Sequence, residues 1–290
     1  DLTDMLDAGA IMVALVIPAD FADRTRAGQP IDIQALIDGA DANNATLAIG
    51  YVNAIGRIYN SRMRVAAGVG RGGVGQVSLE PRAWYNAEME SRNVIIPGII
   101  ALVMVVIAAM LTSVTMAREW ETGTMEQLIS TPIQVPELVL GKVVPYFVIG
   151  LADVAIAVAM GHWIFDVPLR GSTGLVFLSA SVFLTGALFL GLLLSIVLKT
   201  QVLANQIALF TGYLPTLLLS GFVFGIYNMP AAIQAITFIV PARYFITLLR
   251  GIFLKGIGLE VLGLNAALLT IYAAAMVFLS HRKMKLKLEE

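Results

Sequence analysis

Val94-Ile95-Ile96-Pro97-Gly98-Ile99-Ile100-Ala101-Leu102-Val103-Met104-Val105-Val106-Ile107-Ala108-Ala109-Met110-Leu111-Thr112-Ser113-Val114-Thr115-Met116 contains no charged side chain. A helix crosses the roughly 30 Å hydrocarbon core of a bilayer with about 20 apolar residues. This stretch is therefore long enough to span, and it sets the class of the protein. Four more segments read the same way. Val143–Ile164 is apolar except for Asp153, and Leu175–Leu198 is charge-free. The uncharged run from Thr200 to Ala242 exceeds one span. Gly221, Gly225, Asn228 and Pro230 divide it into a span at about Val202–Phe224 and a short apolar segment, Ala231–Val240, closed by Pro241 and lying within about residues 229–242. About ten apolar residues cannot cross, so that segment reads as re-entrant or interfacial. Val261–Ser280 is the fifth span.

Composition agrees. Of 290 residues, 58% are hydrophobic and 13% charged, against about 45–50% and 25% in soluble domains. Mean hydropathy is +0.82. With no cysteine and a net charge of −1, a disulfide scaffold, a zinc ribbon and a nucleic-acid binder are all disfavoured. Charge is uneven along the chain: 19 of the first 93 residues are charged and 20 of the remaining 197. The expectation is a mainly α polytopic membrane protein with a small α/β domain over residues 1–93 and a transmembrane domain over residues 94–290.

Lysines and arginines in short loops orient a membrane protein. Arg282, Lys283, Lys285 and Lys287 place the C-terminus in the cytoplasm. Counting back across five spans leaves residues 1–93 outside, which calls for a preceding helix to carry them there and implies six spans natively. Within residues 1–93, Ala10–Ile17 reads as a buried strand and Ala19–Ala27 as a short helix stopped by Gly28. Ile31–Ile37 reads as a second strand, and a longer helix runs from an Asp41 cap to about Ala67. Gly68-Val69-Gly70-Arg71-Gly72-Gly73-Val74-Gly75 satisfies G-x-G-x-x-G twice. It follows a helix and lacks Lys-Ser/Thr, so it reads as a loop and not a nucleotide site.

Residues 117–142, between the first two spans, carry the most information. Thr124 and Gln127 have capping-box spacing and Pro132 forbids continuation, which predicts a short helix near Thr124–Ser130. Met125, Leu128 and Ile129 share one side, while Glu119, Glu121 and Glu126 supply acid. Two readings stand: a helix that docks into a partner, or an interfacial helix among headgroups.

The residues Glu119-Trp120-Glu121-Thr122-Gly123-Thr124, Glu126-Gln127-Leu128, Thr131-Pro132, Gly141-Lys142 and Pro145-Tyr146 resemble the permease subunits of ABC-2 type exporters. So do Val167-Pro168-Leu169-Arg170-Gly171-Ser172, Met229-Pro230, Val240-Pro241-Ala242-Arg243-Tyr244, Leu249-Arg250-Gly251 and Lys255-Gly256. The similarity is to the bacterial drug-export branch with a large extracytoplasmic domain. Val16–Phe21 and Ile37–Asp41 match that domain. The resemblance implies an inner-membrane subunit that is not itself an enzyme and binds no cofactor. ATP and Mg would sit on a separate cytoplasmic ABC ATPase. It also implies a second permease copy or paralogue and a possible periplasmic adaptor, with membrane lipid around the chain. By the same resemblance, Glu119, Glu121, Gly123, Thr124, Met125, Glu126 and Leu128 would couple to the ATPase. An amphipathic or hydrophobic solute, such as a drug or lipid, would be the cargo.

Inside the spans, Asp153 is a costly mid-membrane carboxylate. With Asn205, Gln206 and Tyr213 it is a candidate for the translocation path; a purely structural role is the other reading. The alternative function, a secondary transporter driven by an ion gradient, would favour internal repeats and several intramembrane ionisable groups. The sequence shows no repeat and only Asp153. Two histidines and no cysteine make a metal site unexpected.

Overall fold

A computed structural model describes residues 2–7, 9–40, 42–66 and 76–284. The glycine-rich stretch, the Asp41 cap and the tail lysines Lys285 and Lys287 lie outside these. The chain divides into two compact units, Asp1–Val94 and Ile95–Glu290.

The N-terminal unit begins with helix α1 (Leu2–Asp7), strand β1 (Val13–Val16) and helix α2 (Phe21–Arg26). Strand β2 (Ile31–Asp38), the 25-residue helix α3 (Ala42–Ala66) and strand β3 (Val77–Trp84) complete it. The sheet order is β1-β2-β3, with β1 antiparallel and β3 parallel to β2. Strand β2 buries alternate residues, Ile31, Ile33, Ala35 and Ile37, as a period-two strand should. β3 is an element that the sequence does not announce. Glu80-Pro81-Arg82 interrupts its apolar pattern, and proline is tolerated there because β3 is an edge strand. The Asn60 side chain locks α3 to that edge: its amide donates to the Val77 carbonyl at 2.8 Å and its oxygen accepts from Val77 N–H at 2.9 Å. The Tyr85 hydroxyl donates to Asp7, and burial together with that contact pushes its pKa well above the ordinary tyrosine value.

The second unit is helical. Helix α4 (Ser91–Ser113) is followed at once by α5 (Thr115–Glu121) and α6 (Thr124–Ile129). Then come α7 (Val135–Trp163), α8 (Thr173–Leu198), α9 (Gln201–Leu219), α10 (Ala231–Thr237), α11 (Pro241–Arg250) and α12 (Leu259–Lys283). Among the described residues five helical stretches are long and apolar enough to cross a membrane: α4 with α5 (Ser91–Glu121), α7, α8, α9 and α12. The chain is a polytopic membrane protein with a small α/β unit.

Several boundaries differ from the sequence expectation, each for a local reason. α7 starts at Val135, well before Val143, because Gln134 and Glu137 form a reciprocal capping box with Pro136 in the first turn. α6 and the first turns of α7 therefore lie within residues 117–142. α9 stops at Leu219 and not near Phe224, since Gly221 adopts φ +82°. Pro241 opens a helix instead of closing a segment: it occupies the first turn of α11, where its missing N–H is not needed. α11 continues as a π-helical turn, Gly251–Lys255. α10 and the α11 arm meet at a bend of 84°, the geometry of a broken span or a re-entrant loop.

Small residues let the helices approach. A Cβ on Gly191 would sit 2.2 Å from Thr112 Oγ1 and 2.5 Å from the Ala109 carbonyl, so α8 lies directly on α4. Thr112 donates to the Leu188 carbonyl at 2.8 Å, and Ser280 of α12 donates to the Phe189 carbonyl at 3.0 Å. Phe183 and Phe245 stack at 4.3 Å between α8 and α11.

Candidate functional site: the elbow after α4

α4 runs on into α5, the two together forming a 31-residue helical stretch, Ser91–Glu121, and its end is held by contacts far apart in sequence. α5 has no side-chain cap of its own. Its first free amides, Met116 and Ala117, instead donate to the Ser195 hydroxyl of α8 at 2.9 and 2.8 Å, all fully buried. Ser195 thus caps α5 from another helix, meeting the need of orphan N-terminal amides for an acceptor. Glu121 performs the mirror-image service for α9. Its carboxylate accepts from the Gln201 backbone N–H at 3.1 Å and from the Gln201 side chain at 2.5 Å. A negative charge at a helix N-terminus is favourable.

Two cations complete the assembly. Lys142 of α7 donates to Glu119 Oε1 at 2.7 Å, with both side chains about three-quarters buried. Lys199, in a left-handed conformation (φ +56°) between α8 and α9, places its ammonium 4.6 Å from the Trp120 ring centre. Three consecutive side chains of α5, Glu119, Trp120 and Glu121, are thus held by Lys142 of α7, by Lys199 between α8 and α9, and by Gln201 of α9.

The turn from α5 to α6 runs through Gly123 at φ +74°, a backbone conformation glycine adopts without strain. Thr124 does not act as the expected helix cap; no side-chain cap bond is made there. Its hydroxyl donates to Glu119 and lies 3.0 Å from the Thr122 hydroxyl. Met125 is 2% exposed and turns into the chain's own core. Among the described side chains of α6, Glu126 and Gln127 are exposed and Leu128 is half-buried, and these three face outward. Of the seven elbow residues singled out in the sequence, Glu119, Glu121 and Thr124 are held internally, Gly123 makes the turn, Met125 is core, and Glu126 with Leu128 faces outward. Ser195, Lys199, Gln201 and Lys142 carry the elbow equally. Only the folded chain brings them there; of the four, Lys142 alone belongs to a motif that the sequence displays.

The four span residues do not form one cluster. Asp153 borders a small enclosed space lined by Met104, Ile107, Leu111, Tyr146 and Leu184, from α4, α7 and α8. Asn205, Gln206 and Tyr213 are on α9. Gln206 and Tyr213 lie seven residues apart, on one helix face, with Gln206 exposed and the other two half-buried.

At the opposite end of the bundle a second clasp ties loops to helix ends. Arg250 of α11 donates to the carbonyls of Gly221 and Phe222, just past the end of α9, at 3.2 and 3.4 Å. Arg170 and Gly171, between α7 and α8, donate their backbone amides to Phe253 and Ile252. A Cβ on Gly171 would stand 2.6 Å from the Ile252 carbonyl, which explains a glycine there. Arg243 stacks on Phe238 at 4.0 Å, and Tyr244 donates to the Phe238 carbonyl at 2.6 Å, bracing the 84° bend.

Comparison with known proteins matches the sequence to a family. The sequence pattern of the ABC-2 family transporter proteins fits residues 1–281. The "Probable multidrug ABC transporter permease YbhS" of Escherichia coli (strain K12) is 39% identical over 290 residues, covering 100% of this chain and 76% of that protein. The "Probable multidrug ABC transporter permease YbhR" of the same organism is 29% identical over 261 residues, 90% of this chain and 70% of that protein. The "Inner membrane transport permease YhhJ" from that strain is 27% identical over 263 residues, 88% and 68% of the two chains. A family pattern running through both units, together with a relative 39% identical along the whole chain, establishes that this protein is an ABC-2 family transporter permease.

Proposed function

We propose that the chain is the membrane path of an ATP-driven exporter in the bacterial inner membrane, working as a pair of permeases with a separate cytoplasmic ABC ATPase. The observation that carries this reading is the elbow. A short helix with an exposed Glu126 projects from a turn whose other residues are bonded into α7, α8 and α9. A push on α6 would therefore be felt by three helices. Glu126, Gln127 and Leu128 form the contact face, where an acidic side chain can meet a basic one on the ATPase. Glu119, Glu121, Gly123, Thr124 and Met125 hold that face in place. The elbow then lies in the cytoplasm, with the C-terminus, and residues 1–93 lie outside the membrane.

An exposed amide on a spanning helix is costly against hydrocarbon. Gln206 on α9 therefore supports a second permease or a solute path on that side. Apolar walls suit an amphipathic or hydrophobic cargo, and the multidrug names of the relatives point the same way.

The test is reconstitution in proteoliposomes with the ATPase and a fluorescent amphipathic dye. ATP-dependent dye movement that disappears without the ATPase is the expected result. Movement on an ion gradient alone overturns the reading in favour of a secondary transporter. Glu126→Lys should insert and bind nucleotide-loaded ATPase poorly, with dye export falling while basal ATP hydrolysis persists. Unchanged binding and export would remove α6 from the contact.

A further inference from the structure

Helix α3 of the N-terminal unit is apolar on two faces. One face packs on the sheet, with Ala45 and Val52 buried and Gly56 against Leu79. The other is exposed: Leu47 at 51%, Tyr51 at 70%, Ile55 at 57%, Ile58 at 54% and Val65 at 82%. With Arg62 these residues follow each other at intervals of four, four, three, four and three, one continuous stripe about 27 Å long at 1.5 Å per residue. A helix in a water-facing domain gains nothing from such a stripe unless something covers it.

We propose that the stripe pairs antiparallel with α3 of a second copy of this chain. Three features select this occupant. First, the stripe is matched to its own reverse. A two-fold axis between Ile55 and Ile58 sets Leu47 against the partner's Val65, Tyr51 against the partner's Arg62 and Ile55 against the partner's Ile58, an isologous contact. Second, charge chooses the direction. Arg62 is the one charge in the stripe and α3 has no acidic residue. A parallel pair would oppose Arg62 to itself, whereas the antiparallel pair lays it on the face of Tyr51 as a cation–π contact. Third, the area is small. About 100 Å² from each of five side chains gives about 1,000 Å² over both copies, at the lower edge of what a specific interface buries. Such a contact needs a partner already held close, and two permeases in one membrane complex supply that local concentration. The proposal rests in this respect on the paired-permease reading above.

The chain has no cysteine, so single cysteines can be placed without removing native ones. All positions tested are exposed. In membrane vesicles holding the full chain with its ATPase, copper-phenanthroline oxidation should shift Ile58→Cys to a band of twice the monomer mass. Leu47→Cys alone and Asn53→Cys, on the polar flank, should stay monomeric. Co-expressed Leu47→Cys and Val65→Cys chains should link to each other. Strong linkage of Leu47→Cys to itself, or linkage of the stripe to a different protein, overturns the proposal. No linkage at any stripe position, in complexes shown by light scattering to hold two permeases, overturns the α3 pairing and leaves the paired-permease reading intact. Complexes holding one permease remove both.

Discussion

Ser195→Ala tests whether the elbow is held as described. The hydroxyl is the acceptor for two amides, Met116 at 2.9 Å and Ala117 at 2.8 Å, and all three residues are inaccessible to solvent. Truncation leaves both donors buried without a partner. Each such donor costs about 1–3 kcal/mol; because the two share one oxygen, about 2–4 kcal/mol together is the expected loss. At about 1.4 kcal/mol per tenfold, local opening at the start of α5 becomes about 30-fold to several hundredfold more frequent. Hydrogen exchange followed by mass spectrometry on the full chain in detergent reads this directly, in fragments covering residues 114–118. Ser280→Ala is the matched control: it removes a donor to the Phe189 carbonyl and strands no amide. Faster exchange at Met116 and Ala117 in Ser195→Ala, but not in Ser280→Ala, is the expected pattern. Exchange no faster than in the parent chain would refute the cross-helix cap and the mechanical continuity inferred from it.

Other outcomes follow from the same geometry. A double-mutant cycle on Glu119→Gln and Lys142→Met should return a coupling of about 1 kcal/mol in stability, since the pair is only partly exposed; zero coupling would make the contact incidental. Gly191→Ala should cost about 1–3 kcal/mol through overpacking against Thr112 and the Ala109 backbone, seen as a lower apparent melting temperature, whereas Gly141→Ala, with open space at its Cβ, should not. Asp153→Asn should export dye with the parent's pH profile, because its pocket is walled by α4, α7 and α8 and receives no polar residue of α9; a displaced profile would put Asp153 on the solute's route.

The spans were legible because apolar length is a property of sequence alone. Val94–Met116 and Leu175–Leu198 fall on α4, with the start of α5, and on α8 with end shifts of a few residues. Legibility failed where a local signal has two meanings. Pro241 can end a segment or open a helix, and the 84° bend that decides between them is a tertiary feature braced by Arg243 on Phe238. β3 was hidden because Glu80-Pro81-Arg82 looks like a loop until the strand is seen to be an edge paired with β2. The elbow was half visible. Its acidic residues stood out, but Glu121 and Gln201 are 80 positions apart, as are Ser195 and its amides to within two. No spacing rule joins such distant residues. Met125 looked like an anchor for a partner because an apolar residue on a short helix reads the same whether it faces a neighbour or its own core.

Helix α8 makes contact with α4, α5, α7, α9, α11 and α12. Its 26 residues extend about 39 Å. Ser195 near one tip grips the elbow, while the loop that feeds the other tip is stitched to Ile252 and Phe253. It is the mast of the bundle. Tilting such a rod by about 3° at its foot swings the top by about 2 Å, enough to pull a pair of packed side chains out of contact. No residue along its shaft has to change rotamer for a nudge at one face to open a crevice at the other.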